Sequence, residues 1–437
     1  MLERVFHLKE NRTNARREII GGITTFMTMA YIIFVNPAIL KDAGVPIDGA
    51  ISATCLASGA VTLLMGLWAN YPFALASGMG LNAFLTYSVV IGSGFSWQTA
   101  MGIVFVEGTI ILLLVLLGFR EAVMRAIPED LRRAIGVGIG VFIAFIGLAN
   151  VGVITRSDAT LLTFGNIKNP IVILTLFGIL ITLFLLLRRI TGALLLGIII
   201  TTIAAVIVSS IPAFKLHFTD IPRHAISLPS LDTIGKIDLR GVLRGGFNAA
   251  AIIFAFLMVD FFDTLGTVTA LGEQAGYTRG GVLLPRLNRV LVTDSLGAMT
   301  GGLFGASSVT TYIESAAGIS EGARTGLASV IVAILFFAAA FFSPIVKIVP
   351  AAATAPALVV TGFLMMTVVR EINFTRIESA FPAFLIITLI PLTYSISRGI
   401  GYGFIAYSFA TLFTGKFLKT SPLFHLVSLL FLISFIL

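Results

Sequence analysis

Residues 259–272, VDFFDTLGTVTALG, set two carboxylates, Asp260 and Asp263, inside an apolar run that begins near Gly241 and continues past Val268. Residues three and four apart on a helix are neighbours, so Asp260, Asp263, Thr264 and Thr267 form one polar stripe on a segment otherwise fit for lipid. A carboxylate at bilayer depth costs at least ~2.5 kcal/mol on the mildest scales, and such groups face a bundle interior or a water-filled cavity. Two at helical spacing repel when both are ionised, so the pair is expected to hold a proton, which suits a site that takes up a proton with its cargo. A second polar interruption, SSVTTYIESAAG at 307–318, carries Glu314 where a half-helix begins and free N–H groups favour an ionised carboxylate. Three acids are thus expected to converge on one cavity.

The 437 residues are 57% hydrophobic and only 11% charged, with mean hydropathy +1.03, which indicates an integral membrane protein. The longest polar loop, 212–240, is too short and too interrupted by proline for a soluble domain, so one membrane transport domain is expected over 1–437. Residues 1–18 are polar and basic and lack the apolar core of a secretory leader. The formal charge of +8 is spread over many short loops, which favours positive-inside topology over nucleic-acid binding. Cys55, the single cysteine, excludes internal disulfides.

Apolar spans are read at 19–40, 49–68, 71–90, 97–118, 133–153, 170–187 and 192–211, then at 241–266, 285–304, 309–319, 326–342, 351–369, 377–395 and 399–413, with an apolar, non-crossing tail at 421–437. With a cytoplasmic N-terminus, fourteen crossings put most of the 29 Lys and Arg residues in cytoplasmic loops, Arg16, Arg120, Arg125, Arg279 and Arg324 among them, while Lys215, Arg223 and Lys236 fall on the other side. The third span is broken by Ala76-Ser77-Gly78-Met79-Gly80, which permits extended backbone only where protein or a cavity surrounds it. The third span after Gly241 is broken in turn around Ser307. Seven spans per half is odd, so the two halves, 18–211 and 241–437, insert with opposite topology, and paired interrupted spans mark a transporter site between inverted repeats.

Asn82, just after the glycine break, offers a donor and an acceptor for a neutral polar ligand, or for broken backbone. Phe84 and Phe262 can stack on a planar ligand, although a chain with 36 phenylalanines supplies such rings to its core everywhere. Glu107, Asp294 and Tyr312 are further intramembrane polar groups, each of which alone more often serves as a packing contact. His7, His217, His224 and His425 lie in loops or tails, so neither an intramembrane enzyme nor a zinc site is expected, and no cofactor is implied.

Four stretches, GGITTFMTMAYIIFVNP at 21–37, ASGMGLNAF at 76–84, FFDTLGTVTALGEQAG at 261–276 and GASSVTTYIESAAGI at 305–319, give the chain a close resemblance to the AzgA-like purine permeases of the nucleobase-cation symporter 2 (nucleobase-ascorbate transporter) superfamily. The resemblance implies an all-α polytopic fold of about fourteen transmembrane segments in two inverted seven-segment repeats, with short strands in segments 3 and 10. It implies a core domain, about 18–119 and 241–345, and a gate domain, about 130–211 and 350–437. Family binding residues carry over to Asp260, Asp263, Glu314 and Asn82, with Gly78, Gly80, Thr264, Thr267, Phe84, Phe262 and Ile313 lining the same site. Where related uracil permeases have Glu-x-x-Gly-His, this chain has Asp263-Thr264-Leu265-Gly266-Thr267, so proton coupling falls to a carboxylate: Asp263, Asp260 or Glu314.

The expected function is therefore import of a purine nucleobase (adenine, or guanine and hypoxanthine) with a proton, across the cell membrane. A purine presents adjacent N–H donors that a carboxylate accepts in pairs. An anion transporter of the same architecture would want Arg or bare helix N-termini at the site, and a sodium-coupled carrier would use the same carboxylates and threonine hydroxyls as ligands. The partners implied are the base, the proton and the bilayer, with a homodimer left open and no nucleic acid.

Overall fold

The computed structural model describes residues 2–118, 127–211, 218–219, 222, 224–277 and 284–436. Arg120, Arg125, Lys215, Arg223 and Arg279, used above for topology, lie outside them, as does His217. The chain is mostly helical: α1 Ala15–Met29, α2 Ile32–Asp42, α3 Ile47–Leu64, α4 Met79–Ala83, α5 Trp97–Leu116, α6 Glu129–Asn150, α7 Pro170–Leu187, α8 Ala193–Ser210, α9 Gly246–Gln274, α10 Leu287–Phe304, α11 Ser315–Ser320, α12 Gly326–Ala339, α13 Ala351–Met366, α14 Ile377–Thr393, α15 Ile396–Phe413 and α16 Pro422–Ile436. Among the described residues nine helical segments are long and apolar enough to cross a membrane, and shorter or interrupted helices supply the remaining segments.

Two short strands fill the third and tenth segments, as expected. β1, Leu75–Ser77, pairs antiparallel with β4, Val309–Thr311, in the register Leu75↔Thr311, Ala76↔Thr310 and Ser77↔Val309. Backbone groups at membrane depth need internal partners. The pairing is extended by Gly78 N–H donating to Ser308 O (2.9 Å) and Tyr312 N–H to Ala74 O (2.9 Å), while Ala74 N–H donates to the Ser315 hydroxyl (3.0 Å) and Leu75 N–H to the Thr62 hydroxyl (2.9 Å). The third segment then continues through α4 into a π-helical stretch, Phe84–Gly92. A second hairpin, Ile154–Ser157 with Leu161–Phe164 (β2 and β3), follows α6 and had no signal in the sequence reading.

Packing joins the halves in two groups. α5 lies on α10, α3 on α12, and α1 on α11 and α12, whereas α6 packs on α13 and α14, and α7 on α8 and α13. Small residues allow the close crossings. A Cβ at Gly140 of α6 would stand 2.7 Å from Gly362 O of α13, so neither helix could approach as it does with larger side chains. Glu18, fully buried, accepts the N–H groups of Arg324 (2.7 Å), Thr325 (3.3 Å) and Ala328 (3.2 Å) at the start of α12, where orphan donors and the helix dipole favour an anion. Leu180, Ile203 and Phe381 are exposed on α7, α8 and α14, as side chains facing lipid are.

The first and eighth segments depart from the sequence reading. The first span is two helices, broken at Ala30–Tyr31. The eighth runs from Gly246 to Gln274, eight residues past 266, because 267–274 has no proline and packs on α11, which carries the helix through Gly272. The apolar tail is helical. α16 lies on α15, with Ser428 Oγ donating to Phe404 O (3.2 Å) and Phe424 and Phe431 packed around Phe404.

Candidate functional site

The polar stripe of α9 faces β4 and α10, and the structure splits it in two. Asp260 and Thr264, one turn apart, are buried, at 1% and 2% exposure. Asp263 and Thr267, also one turn apart, open onto free surface, although Asp263 lies deep in the protein, as a side chain lining an internal space does. Glu314 is half-buried and equally deep, with Ile313 beside it 49% exposed. Gly80 and Phe262 are half-buried, while Gly78, Asn82 and Phe84 are buried.

Asp294 of α10 organises the buried layer. Its carboxylate accepts from Thr264 Oγ1 (2.6 Å), Thr311 N–H (2.8 Å) and Thr311 Oγ1 (2.8 Å), with Thr310 Oγ1 nearby at 3.5 Å. With the Thr264 hydroxyl donating to Asp294, the 2.8 Å contact between the Thr264 and Thr310 hydroxyls requires Thr310 to donate to Thr264. One carboxylate thereby ties α9, α10 and β4 together. Asp260 accepts from Ser308 Oγ (2.8 Å). Glu314 takes the Tyr31 hydroxyl on Oε1 (2.7 Å), and Tyr312 OH donates to Ser77 O (2.5 Å), which ties β4 to β1 through a side chain as well.

The sequence had singled out Asp260, Asp263, Glu314 and Asn82, but Asp294 only as a packing contact. Its signal was present, an acid between Thr293 and Ser295 in an apolar helix, yet its partners belong to α9 and β4, which sequence spacing cannot join. Asn82 is fully buried, and neither its amide nitrogen nor its oxygen has a protein partner. Phe84 is stacked on Phe256 (centroids 4.4 Å, 18°), so that face of its ring is occupied. Phe262 carries the Arg132 guanidinium of α6 over its ring at 5.1 Å. Among the described residues no group of three His, Cys, Asp or Glu side chains could hold a metal ion.

The two glycines crowd their neighbours. A Cβ on Gly78 would come within 2.9 Å of Thr310 Cγ2, across the strand pair, and one on Gly80 within 2.8 Å of Ile139 Cγ2 on α6. Gly78→Leu is expected to push β1 from β4, and Gly80→Leu to push α4 from α6, each weakening cargo binding by roughly tenfold or more, the scale on which overpacking costs 1–3 kcal/mol. Wild-type affinity in both variants, measured on protein inserted at normal levels, would remove this segment from the site.

A mostly apolar helical bundle, interrupted at two paired strands with acids opposite them, is the construction of a membrane permease. The profile of the family described as Permease family (Xan_ur_permease) matches residues 16–402, and the chain belongs to that family. It is 43% identical over 438 residues to the guanine/hypoxanthine permease PbuO of Bacillus subtilis (strain 168), covering 98% of this chain and 99% of that one. It is 39% identical over 436 residues to the adenine permease AdeP of Escherichia coli (strain K12), covering 100% and 96%. The resemblance to AzgA-like purine permeases therefore holds, and the chain is a transporter and not an enzyme. Among solved structures, the transmembrane domain of the cyanobacterial bicarbonate transporter BicA matches with TM-score 0.66 at 17% identity, over 87% of this chain and 96% of that one, a likeness of fold.

Proposed function

We propose that the protein imports purine nucleobases by proton symport, with the base held between the β1–β4 strand pair and α9. The observation that carries this reading is the pairing of the two strands opposite a split acid stripe. It sets Asp263 and Glu314 on open interior surface, with the orphaned Asn82 amide on the helix that follows β1. A carboxylate accepts paired N–H groups of a neutral base more strongly than neutral acceptors do, and the low dielectric adds to this. PbuO and AdeP, whose names give guanine/hypoxanthine and adenine, support the substrate class.

In this reading α1–α5 with α9–α12 form the core domain and α6–α8 with α13–α16 the gate, in line with the two packing groups, and rocking between them alternates access with the N-terminus cytoplasmic. The contacts between the groups favour one closed end. Asp42 Oδ2 accepts from Tyr87 OH (2.7 Å) and from Asn150 Nδ2 (3.2 Å), and Ser88 bridges to the start of α15, donating to Tyr394 O (3.2 Å) and accepting from Ile396 N–H (3.2 Å). Near the opposite end of α6, Arg132 lies over the Phe262 ring.

The test is uptake of labelled adenine, guanine and hypoxanthine in cells lacking their own purine permeases. A proton-binding carboxylate is loaded by acid, so uptake is expected to rise as external pH falls, to collapse with a protonophore and to ignore sodium replacement. Accumulation that survives the protonophore and needs a sodium gradient would replace the proton by sodium at the same oxygen-rich cluster.

A further inference from the structure

Glu107 sits near the middle of α5, fully buried, and takes no part in the site described above. Its carboxyl faces Asp260 within hydrogen-bonding reach. Both Glu107 oxygens and Asp260 Oδ1 lack a donor, and among the described residues the Ser308 hydroxyl is the only one that reaches either carboxyl. The other charged groups facing the pair are acids as well, Asp294 on α10 and Asp263 on α9. Next to Glu107, Gly108 brings α5 against α10 so closely that a Cβ there would meet Ala298 Cβ at 2.8 Å.

Two ionised carboxylates in contact, buried and given one hydroxyl donor between them, repel each other and keep three oxygens unsatisfied. A single proton supplies the missing O–H donor and removes one charge. Paired carboxyl groups at enzyme sites share a proton for this reason. We propose that Glu107 is a positioning residue for Asp260, and that the two share one resident proton that stays in place throughout transport. The Glu107 O–H then donates to Asp260 Oδ1 while Ser308 donates to Oδ2, so Asp260 is held as a carboxylate in one orientation behind the cargo. Loading and release of the transported ion fall to the acids on open surface, Asp263 and Glu314. The inference rests on the reading of α9 as the cargo site, and is independent of which ion is coupled.

The experiment compares wild type, Glu107→Gln and Glu107→Leu, purified and reconstituted in lipid vesicles, by infrared spectroscopy and by labelled hypoxanthine uptake on the same samples. Wild type is expected to show the carbonyl stretch of a protonated carboxylic acid, and to keep it as pH is raised through the range in which uptake falls. Glu107→Gln should lose that band, since an amide N–H now supplies the donor, and should retain uptake reduced about threefold with the same pH midpoint. Glu107→Leu leaves Asp260 with one donor and should lower uptake by roughly tenfold or more, the scale of an unmade buried hydrogen bond. Absence of the band in wild type would overturn the shared proton. A band that titrates together with uptake, or pH-independent uptake in Glu107→Gln, would make the proton a transported one and overturn its residence. If hypoxanthine is not the cargo, uptake fails in wild type too, while the band and its loss in Glu107→Gln still decide the proposal.

Discussion

Asp263→Asn is expected to abolish concentrative uptake while leaving membrane insertion intact. In the proposed symport, the change keeps size and removes both the charge and the exchangeable proton from a side chain that is exposed and, among the described residues, has no hydrogen bond to the fold. A hydrogen bond to a charged group contributes about 1.5–3 kcal/mol, so binding alone should weaken roughly tenfold to a hundredfold, and accumulation should fail altogether without a proton site. Asp260→Asn should be milder, because Asp260 is buried behind the space and keeps its Ser308 contact. Uptake assays with quantified surface protein decide it. Normal pH-dependent transport by Asp263→Asn would end the assignment, whereas equal loss in both variants would show that the pair acts as a unit.

Asp294→Ala is expected to lower stability and binding together. The substitution strips the acceptor from the Thr264 hydroxyl, the Thr311 hydroxyl and the Thr311 N–H, all buried, and an unmade buried donor costs about 1–3 kcal/mol. The sum is roughly 3–5 kcal/mol after partial relaxation, enough to free β4 from α9 and α10. Asp294→Asn, which keeps one acceptor oxygen, should recover part of the loss. Melting in detergent with and without cargo provides the readout. An Asp294→Ala protein with wild-type melting temperature and affinity would show that β4 is held by β1 alone.

The two interrupted segments were legible because their signal is local: glycines and small residues in one, a run of hydroxyls in the other, each set in apolar sequence. The acid stripe on α9 was legible by helical spacing. Its division into a buried pair, Asp260 and Thr264, and an open pair, Asp263 and Thr267, was not, because that depends on where α10 and β4 lie. For the same reason Asp294 and Glu107 read as packing groups, since each takes its meaning from a partner on another helix. The break at Ala30–Tyr31 has no proline or glycine at it and gave no warning. The tail showed its apolar character, but its seat on Phe404 is a tertiary fact.

The pairing of Leu75 with Thr311 also sets an order of events during synthesis. β1 belongs to the first half of the chain and β4 lies deep in the second, so the ribosome has made most of the protein before the first strand meets its partner. Until then the N–H and C=O groups around residues 75–78 sit at membrane depth with only part of their hydrogen bonds, those from Thr62 among them. The first half thus waits as an incomplete intermediate. A chain truncated before Val309 would carry most of its apolar spans and leave β1 without its partner strand, and it would present unpaired backbone for quality-control machinery to detect.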